Sequence, residues 1–206
     1  MIDYLLELNN RILLAINGAH TGFLDTFMMI ATNRWTWIPL YMAAFVYLIY
    51  RYGWLRAVSV LAVIGITITI VDQLCGSLIR DSLQILRPSN PDNPLSAQIQ
   101  LVDGYRGGRY GFPSCHAANC PALLMVLGTV IHRRWAWLVL TAYVLLNCYS
   151  RLYLGVHYPS DILAGAATGA AIGYGMGLLA IRIMRRLPPA RRENPSGPDD
   201  NSFILH

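Results

Sequence analysis

The sequence predicts an all-α fold: a polytopic transmembrane helix bundle of about five spans, preceded by an N-terminal amphipathic helix. Three observations carry this. Hydrophobic residues make up 55% of the 206 and charged residues only 13%, about half the roughly 25% typical of soluble domains. The apolar residues are gathered into runs of about 15 to 23, the length that crosses a hydrocarbon core about 30 Å thick. The basic residues, all 16 of them arginine, stand largely at the ends of those runs and in the C-terminal tail.

Taken in order, residues 1–18 set Ile2, Leu5, Leu6, Ile12, Leu13 and Ile16 against Asp3, Glu7, Asn9, Asn10 and Arg11. This near-3.6 period predicts an amphipathic helix, too polar to span, that lies in the interface or packs on the bundle. Phe23 to Ala31 forms a second short piece, so 1–34 reads as an interfacial segment. The spans are expected at about 35–50, 57–79, 114–131, 135–153 and 161–184. Between the second and third lies a polar extracytoplasmic loop, 80–113, of a length that marks function or mobility. Residues 1–186 form one membrane domain, and 187–206, rich in Pro, Arg, Asn and Asp, read as a disordered cytoplasmic tail. No secretory leader is expected, because Asp3 and Glu7 stand where a basic n-region would.

Arginine bias sets the orientation. Arg51 and Arg56, then Arg133 and Arg134, then Arg182, Arg185, Arg186, Arg191 and Arg192 fall on one side, assigned to the cytoplasm. Ser114, the long loop and the Arg151–Asp161 turn then share the other. In the fifth span Gly165, Gly169, Gly173 and Gly177 recur at every fourth residue, a stripe that lets another helix approach closely, from this chain or a second copy.

Composition excludes some functions. A net charge of +5 without a basic face and aromatic readers speaks against nucleic acid. Cys75, Cys115, Cys120 and Cys148 match no zinc spacing, and neither metal nor cofactor is expected.

The chemistry-bearing residues lie at the edges of the apolar runs, where polar groups are costly unless they have work or partners. They read Arg80-x6-Arg87-Pro88, Pro113-Ser114-Cys115-His116 and Ser150-Arg151-x5-His157-x3-Asp161. An aspartate four residues after a histidine can accept the ring N–H, fix its tautomer and leave the other nitrogen free to attack. Guanidinium groups bind phosphate oxygens in bidentate fashion. Pro113 and Ser114 open a helix whose first N–H groups form an anion site, with His116 placed to protonate a departing oxygen. Asp72, about two turns before Arg80, is expected to pair with an arginine or bond a neighbouring helix.

In combination these motifs resemble the type 2 phosphatidic acid phosphatase (PAP2) superfamily, whose pattern is Lys-x6-Arg-Pro, Pro-Ser-Gly-His and Ser-Arg-x5-His-x3-Asp. The third motif matches throughout, the second at Pro113, Ser114 and His116, the first at Arg87 and Pro88. Arg80 replaces a lysine and Cys115 a glycine. The resemblance implies that His157 is the nucleophile, forming a phosphohistidine, that Asp161 orients it, and that His116 is general acid and then base. It also implies that Arg80, Arg87, Arg151 and Ser114 hold the phosphoryl oxygens, with no metal. A lipid phosphate is the implied substrate. An isoprenyl diphosphate such as undecaprenyl diphosphate is the first expectation, and phosphatidylglycerophosphate, phosphatidic acid or lipid A the competing ones. A lipid phosphotransferase and a non-catalytic lipid-binding protein are the other readings. A bacterial inner membrane, with the site on its periplasmic side, is the expected location. The loop at 89–112, with Tyr105, Arg106, Arg109 and Tyr110, is the expected source of substrate choice.

Overall fold

The computed structural model describes residues 2–188, so most of the predicted tail lies outside the described residues. Among these the regular structure is helical: α1 Ile2–Asn17, α2 Gly22–Thr32, a 3-10 turn Arg34–Trp37, α3 Ile38–Tyr52, α4 Trp54–Asp72, a π segment Gln73–Ile79, α5 Arg80–Leu83, α6 Cys115–Ile131, α7 Arg134–Tyr153 and α8 Pro159–Arg186.

Local chemistry sets the boundaries. Thr21 caps α2 by accepting the Leu24 N–H at 3.2 Å, and Ser114 caps α6 by accepting that of Ala117 at 3.3 Å, each satisfying a donor left unpaired in a first turn. Pro159 occupies the first turn of α8, where its missing N–H costs nothing. The Asp161 carboxylate accepts the Tyr158 N–H there at 2.9 Å.

The second predicted span differs from expectation. Helix runs unbroken from Trp54 to Leu83, 30 residues, or about 45 Å. Arg80 therefore lies inside the helix rather than in the loop, and the turn that ends it comes at Gln84, with a left-handed φ of 49°. The π segment, a form common at functional sites, falls between Asp72 and Arg80 and re-aims one against the other. The 80–113 loop is also more ordered than its composition suggested. Leu86 and Tyr110 form an antiparallel bridge, a short 3-10 turn spans Pro94–Gln98, and Arg106 and Ser89 bond each other's backbone carbonyls.

Among the described residues, Trp54–Leu83 and Pro159–Arg186 are long and apolar enough to cross a membrane, two helices where the sequence predicts about five spans. The outer surface is apolar: Leu138 is 72% exposed and Leu163 71%. Such a belt is stable where lipid is the solvent.

The glycine stripe finds its partner within the chain. Gly165, Gly169 and Gly173 lie against the carbonyls of Ser114, Ala118 and Ala122, so α8 runs backbone to backbone along α6. A Cβ at Gly169 would collide with the Ala118 carbonyl. Leu48, Val60, Val63, Val126, Leu127, Val130, Leu140 and Met184 fill the core between α3, α4, α6, α7 and α8. At one end of the bundle Tyr52 donates to the Val130 carbonyl at 2.9 Å and Arg56 to that of Leu187 at 2.9 Å. The motif residues gather at the other.

The N-terminal helix packs on that second end. Asn9 exchanges two 3.0 Å hydrogen bonds with Ser160 at the head of α8. Buried Asn17 bonds the Tyr153 carbonyl at 2.8 Å and both polar groups of the Gln100 backbone.

Candidate active site

The third motif builds the buried centre. His157 follows the tight turn after α7, where Gly155 takes φ 67°, and Asp161 sits in the first turn of α8. His157 Nδ1 donates to Asp161 Oδ2 at 3.2 Å, and both side chains are almost fully buried. Arg87 Nη1 donates to the other ring nitrogen, Nε2, at 3.0 Å and to the Val156 carbonyl at 3.3 Å, while its Nε donates to the Tyr110 carbonyl at 3.0 Å. With Arg87 a donor only, the ring carries its proton on Nδ1 and a lone pair on Nε2. Gly107 and Gly111 roof this group. A Cβ at Gly107 would stand 2.8 Å from Arg87 Nη1, and one at Gly111 3.1 Å from Asp161 Oδ2.

Electrostatics are set by crowded cations. Burial pulls the Arg87 pKa down to about 10, aided by the nearby Arg151 and Arg80 guanidiniums. The same burial, with Arg87, Arg151 and Arg80 as neighbours, holds His157 well below the usual imidazole value, so the ring is neutral. Asp161 is the carboxylate within this group, leaving an excess of positive charge that an anion would relieve.

The remaining predicted residues surround this centre with partners of their own. Arg151 Nη1 donates to Thr32 at 2.7 Å and to the Tyr105 hydroxyl at 3.1 Å, and its guanidinium stacks over the Tyr105 ring. Arg80 Nη2 bonds the Pro113 carbonyl at 3.2 Å and the Cys115 thiol at 2.9 Å. The Nε groups of both Arg80 and Arg151 are buried without an acceptor. Buried donors are rarely left so. The Ser114 oxygen serves as the α6 cap, its own proton still available, and the Ser114 N–H bonds the Asp161 carbonyl at 3.1 Å, locking the heads of α6 and α8 together. His116 Nε2 bonds Asn147 Oδ1 at 3.2 Å.

Sequence reasoning missed Asn147, Thr32 and the glycine roof. Asn147 is fully buried in α7, one turn before Arg151, and its amide donates to the Tyr143 carbonyl at 2.9 Å. That bond turns its oxygen toward His116. A buried amide within an apolar span was the available signal. Of the loop residues assigned to substrate choice, Arg106 and Tyr105 are engaged in structure, and Arg109 pairs with Asp92 at 3.5 Å on the surface.

A cavity of about 560 Å³ opens between α3, α4, α6 and α7. Leu48, Leu61, Ile64, Ile68, Leu123 and Leu127 form its apolar walls, and Arg34, Tyr41, Asp72, Cys115, His116, Asn119, Tyr143 and Asn147 its polar part. Among the described residues no group of three or more His, Cys, Asp and Glu side chains gathers to hold a metal.

Comparison with known proteins agrees with this geometry. Residues 53–187 match the PAP2 superfamily. The lipid A 4'-phosphatase of Bacteroides thetaiotaomicron is 39% identical over 91% of this chain and 83% of its own length. That of Porphyromonas gingivalis is 30% identical over 84% and 73%. The fold is that of a solved transmembrane PAP2-type phosphatidylglycerolphosphate phosphatase from Bacillus subtilis, with a TM-score of 0.65 at 18% identity over 89% of this chain and 90% of the other. A family match over well more than half the chain, with a 39% identical relative covered over 83% of its length, makes this chain a member of the PAP2 superfamily, the membrane phosphatases of lipid phosphates.

Proposed function

We propose that the chain is a lipid A phosphatase working through a phosphohistidine. The observation that carries the substrate is the 39% identity to a lipid A 4'-phosphatase over 83% of that enzyme's length. It moves lipid A ahead of undecaprenyl diphosphate, the first expectation from sequence.

Arg80, Arg87, Arg151 and the Ser114 hydroxyl take the phosphoryl oxygens. The two buried, acceptor-less Nε groups support this role for Arg80 and Arg151. His157 Nε2 attacks phosphorus with its lone pair, and Asp161 stabilises the imidazolium through Nδ1. The bond from phosphorus to the lipid oxygen breaks as His116 delivers a proton to that oxygen. Water then loses a proton to His116 and attacks the phosphohistidine, releasing inorganic phosphate and regenerating His157. Charge developing on the phosphoryl group is met throughout by fixed guanidiniums. Asn147 orients His116.

In this reading residues 1–186 form one domain with about five spans, and 1–34 lie along the interface. The site faces the periplasmic side of a bacterial inner membrane, with the arginine-rich end in the cytoplasm. Phosphate release by the purified protein from lipid A, undecaprenyl diphosphate and phosphatidylglycerophosphate tests the substrate. The reading expects lipid A to give the highest kcat/KM. A higher value for either other lipid overturns it.

A further inference from the structure

The cavity beside His116 carries a polar pair that the phosphoryl chemistry does not use. Asp72, the last residue of α4, lies exposed on its wall, and Asn119 faces it from α6, one turn past His116. Asn119 Nδ2 donates to Asp72 Oδ1 at 2.8 Å. Of the other polar side chains in the wall, Tyr41 and Tyr143 share a 2.8 Å hydrogen bond, Cys120 donates to Tyr143 at 3.2 Å, and Arg34 bonds neither Asp72 nor Asn119. The Asp72–Asn119 pair is left incomplete. Asn119 Oδ1 is buried with no donor, and Asp72 has a second oxygen to offer.

What the pair presents is therefore acceptor oxygen, two atoms of it, in a largely apolar cavity within membrane helices. An ionisable group in that setting marks a functional position, and a buried acceptor without a donor is costly enough to be rare. A phosphate cannot be the missing partner, because its oxygens are acceptors that a carboxylate repels. The partner must bring hydroxyl or amide N–H groups. The helical spacing from His116 puts those donors within about one turn, roughly 5 Å, of the leaving oxygen, on the lipid body next to the phosphate.

We propose that Asp72 and Asn119 form a donor-reading subsite that selects lipid phosphates carrying a hydroxyl or amide N–H beside the phosphate, over lipids whose phosphate is followed only by esters or hydrocarbon. This rests on His116 being the acid at the leaving oxygen and on the cavity seating the lipid. It deepens the proposed function, since acylated amino-sugar phosphates carry such donors and isoprenyl chains carry none. A site that hydrogen-bonds a substrate donor discriminates strongly against an analogue lacking it.

A simpler role, a staple between α4 and α6, makes a different prediction for Asp72→Asn. The asparagine keeps an oxygen for Asn119 and the shape of the pair, but turns an amide instead of a carboxylate oxygen to the cavity. The test compares two phosphate monoesters in the same detergent: ceramide 1-phosphate, with a hydroxyl and an amide N–H near the phosphate, and phosphatidic acid, with esters only. For a lipid turned over too slowly, its competitive inhibition of a short-chain phosphate is measured instead. The wild-type protein is expected to favour ceramide 1-phosphate. Asp72→Asn is expected to lower the ceramide-to-phosphatidic acid ratio of kcat/KM at least tenfold, with an unchanged melting temperature. Asn119→Ala, which removes the unpaired acceptor, is expected to shift the ratio the same way. A ratio unchanged in both variants, or an equal fall on both lipids, overturns the subsite and leaves a staple. Failure to release phosphate from lipid A would overturn the proposed substrate instead, while the ratio still reads the pair.

Discussion

Arg87 Nη1 lies 3.0 Å from His157 Nε2, on the side of the ring opposite Asp161. The nitrogen with the lone pair is thus already bonded in the free protein, to a cation that an incoming phosphate would also attract. On the proposed mechanism, phosphate oxygens accept the Arg87 N–H groups, release Nε2 and set phosphorus before it, so anion binding and exposure of the nucleophile become one event. Arg87 is then both a clamp and a guard.

On the proposed mechanism, His157→Gln is expected to lower kcat by at least about a thousandfold, since it removes the atom that would form the bond while binding is retained. Brief incubation with labelled lipid phosphate should leave covalent label on the wild type and none on the variant. Label retained in His157→Gln would assign the nucleophile elsewhere.

Gly107→Ala tests the guard. Gly107 has φ 67°, and its new methyl would stand 2.8 Å from Arg87 Nη1. Displacing the guanidinium should cost at least tenfold in kcat/KM, about 1.4 kcal/mol of transition-state binding. Gly108→Ala, which meets nothing within 4 Å, is the control and should keep wild-type rates.

The α6–α8 contact should show in stability. Gly169→Ala drives a methyl into the Ala118 carbonyl, and the two backbones must part at a cost of about 1–3 kcal/mol. Gly175→Ala in the same helix meets nothing and should stabilise by up to about 1 kcal/mol through helix propensity. Thermal melting in detergent compares them.

Acid should destabilise the protein through His157. Its folded pKa lies well below that of the unfolded chain, about 6.5. Above pH 6.5 both states hold the ring neutral and the shift has no effect. As pH falls below 6.5 the unfolded state takes up a proton that the folded state refuses, and stability drops by up to about 1.4 kcal/mol per pH unit until the folded pKa is reached. Melting temperatures between pH 7.5 and 5 should fall more steeply for the wild type than for His157→Gln. Parallel curves would mean the ring is protonated in the folded protein.

Chelation should leave turnover intact if, as proposed, arginines supply the positive charge that a metal would. Phosphate release in the presence of EDTA, with and without added magnesium or zinc, reads this directly. Loss on chelation restored by metal would contradict the assigned cation source.

Much of the candidate site's geometry was legible because the three motifs are short local strings at helix ends, where spacing alone brings side chains together. The spacing of His157 and Asp161 allows them to share a face, and they meet at 3.2 Å. What stayed hidden is non-local. Asn147 reaches His116 from another helix, and Thr32 meets Arg151 across 119 residues. No periodicity in either segment encodes those meetings. The fold followed the apolar runs closely, with α6 starting one residue and α7 one residue from their predicted starts. Arg80 was misplaced because a polar side chain in a last turn reads like the start of a loop, although the helix continues to Leu83. The glycine stripe predicted a close helix contact but could not name α6, since small residues specify distance and not a partner.

The hydrogen bonds between Asn9 and Ser160 join residues 151 apart, and this imposes an order on biosynthesis. α1 leaves the ribosome before α8. Until α8 is made, the Asn9 amide must wait for a partner that has not yet been translated. Contacts of such long range are slow to form. The link from α1 to the head of α8, the helix that carries Asp161, therefore forms only after every helix between them has been made.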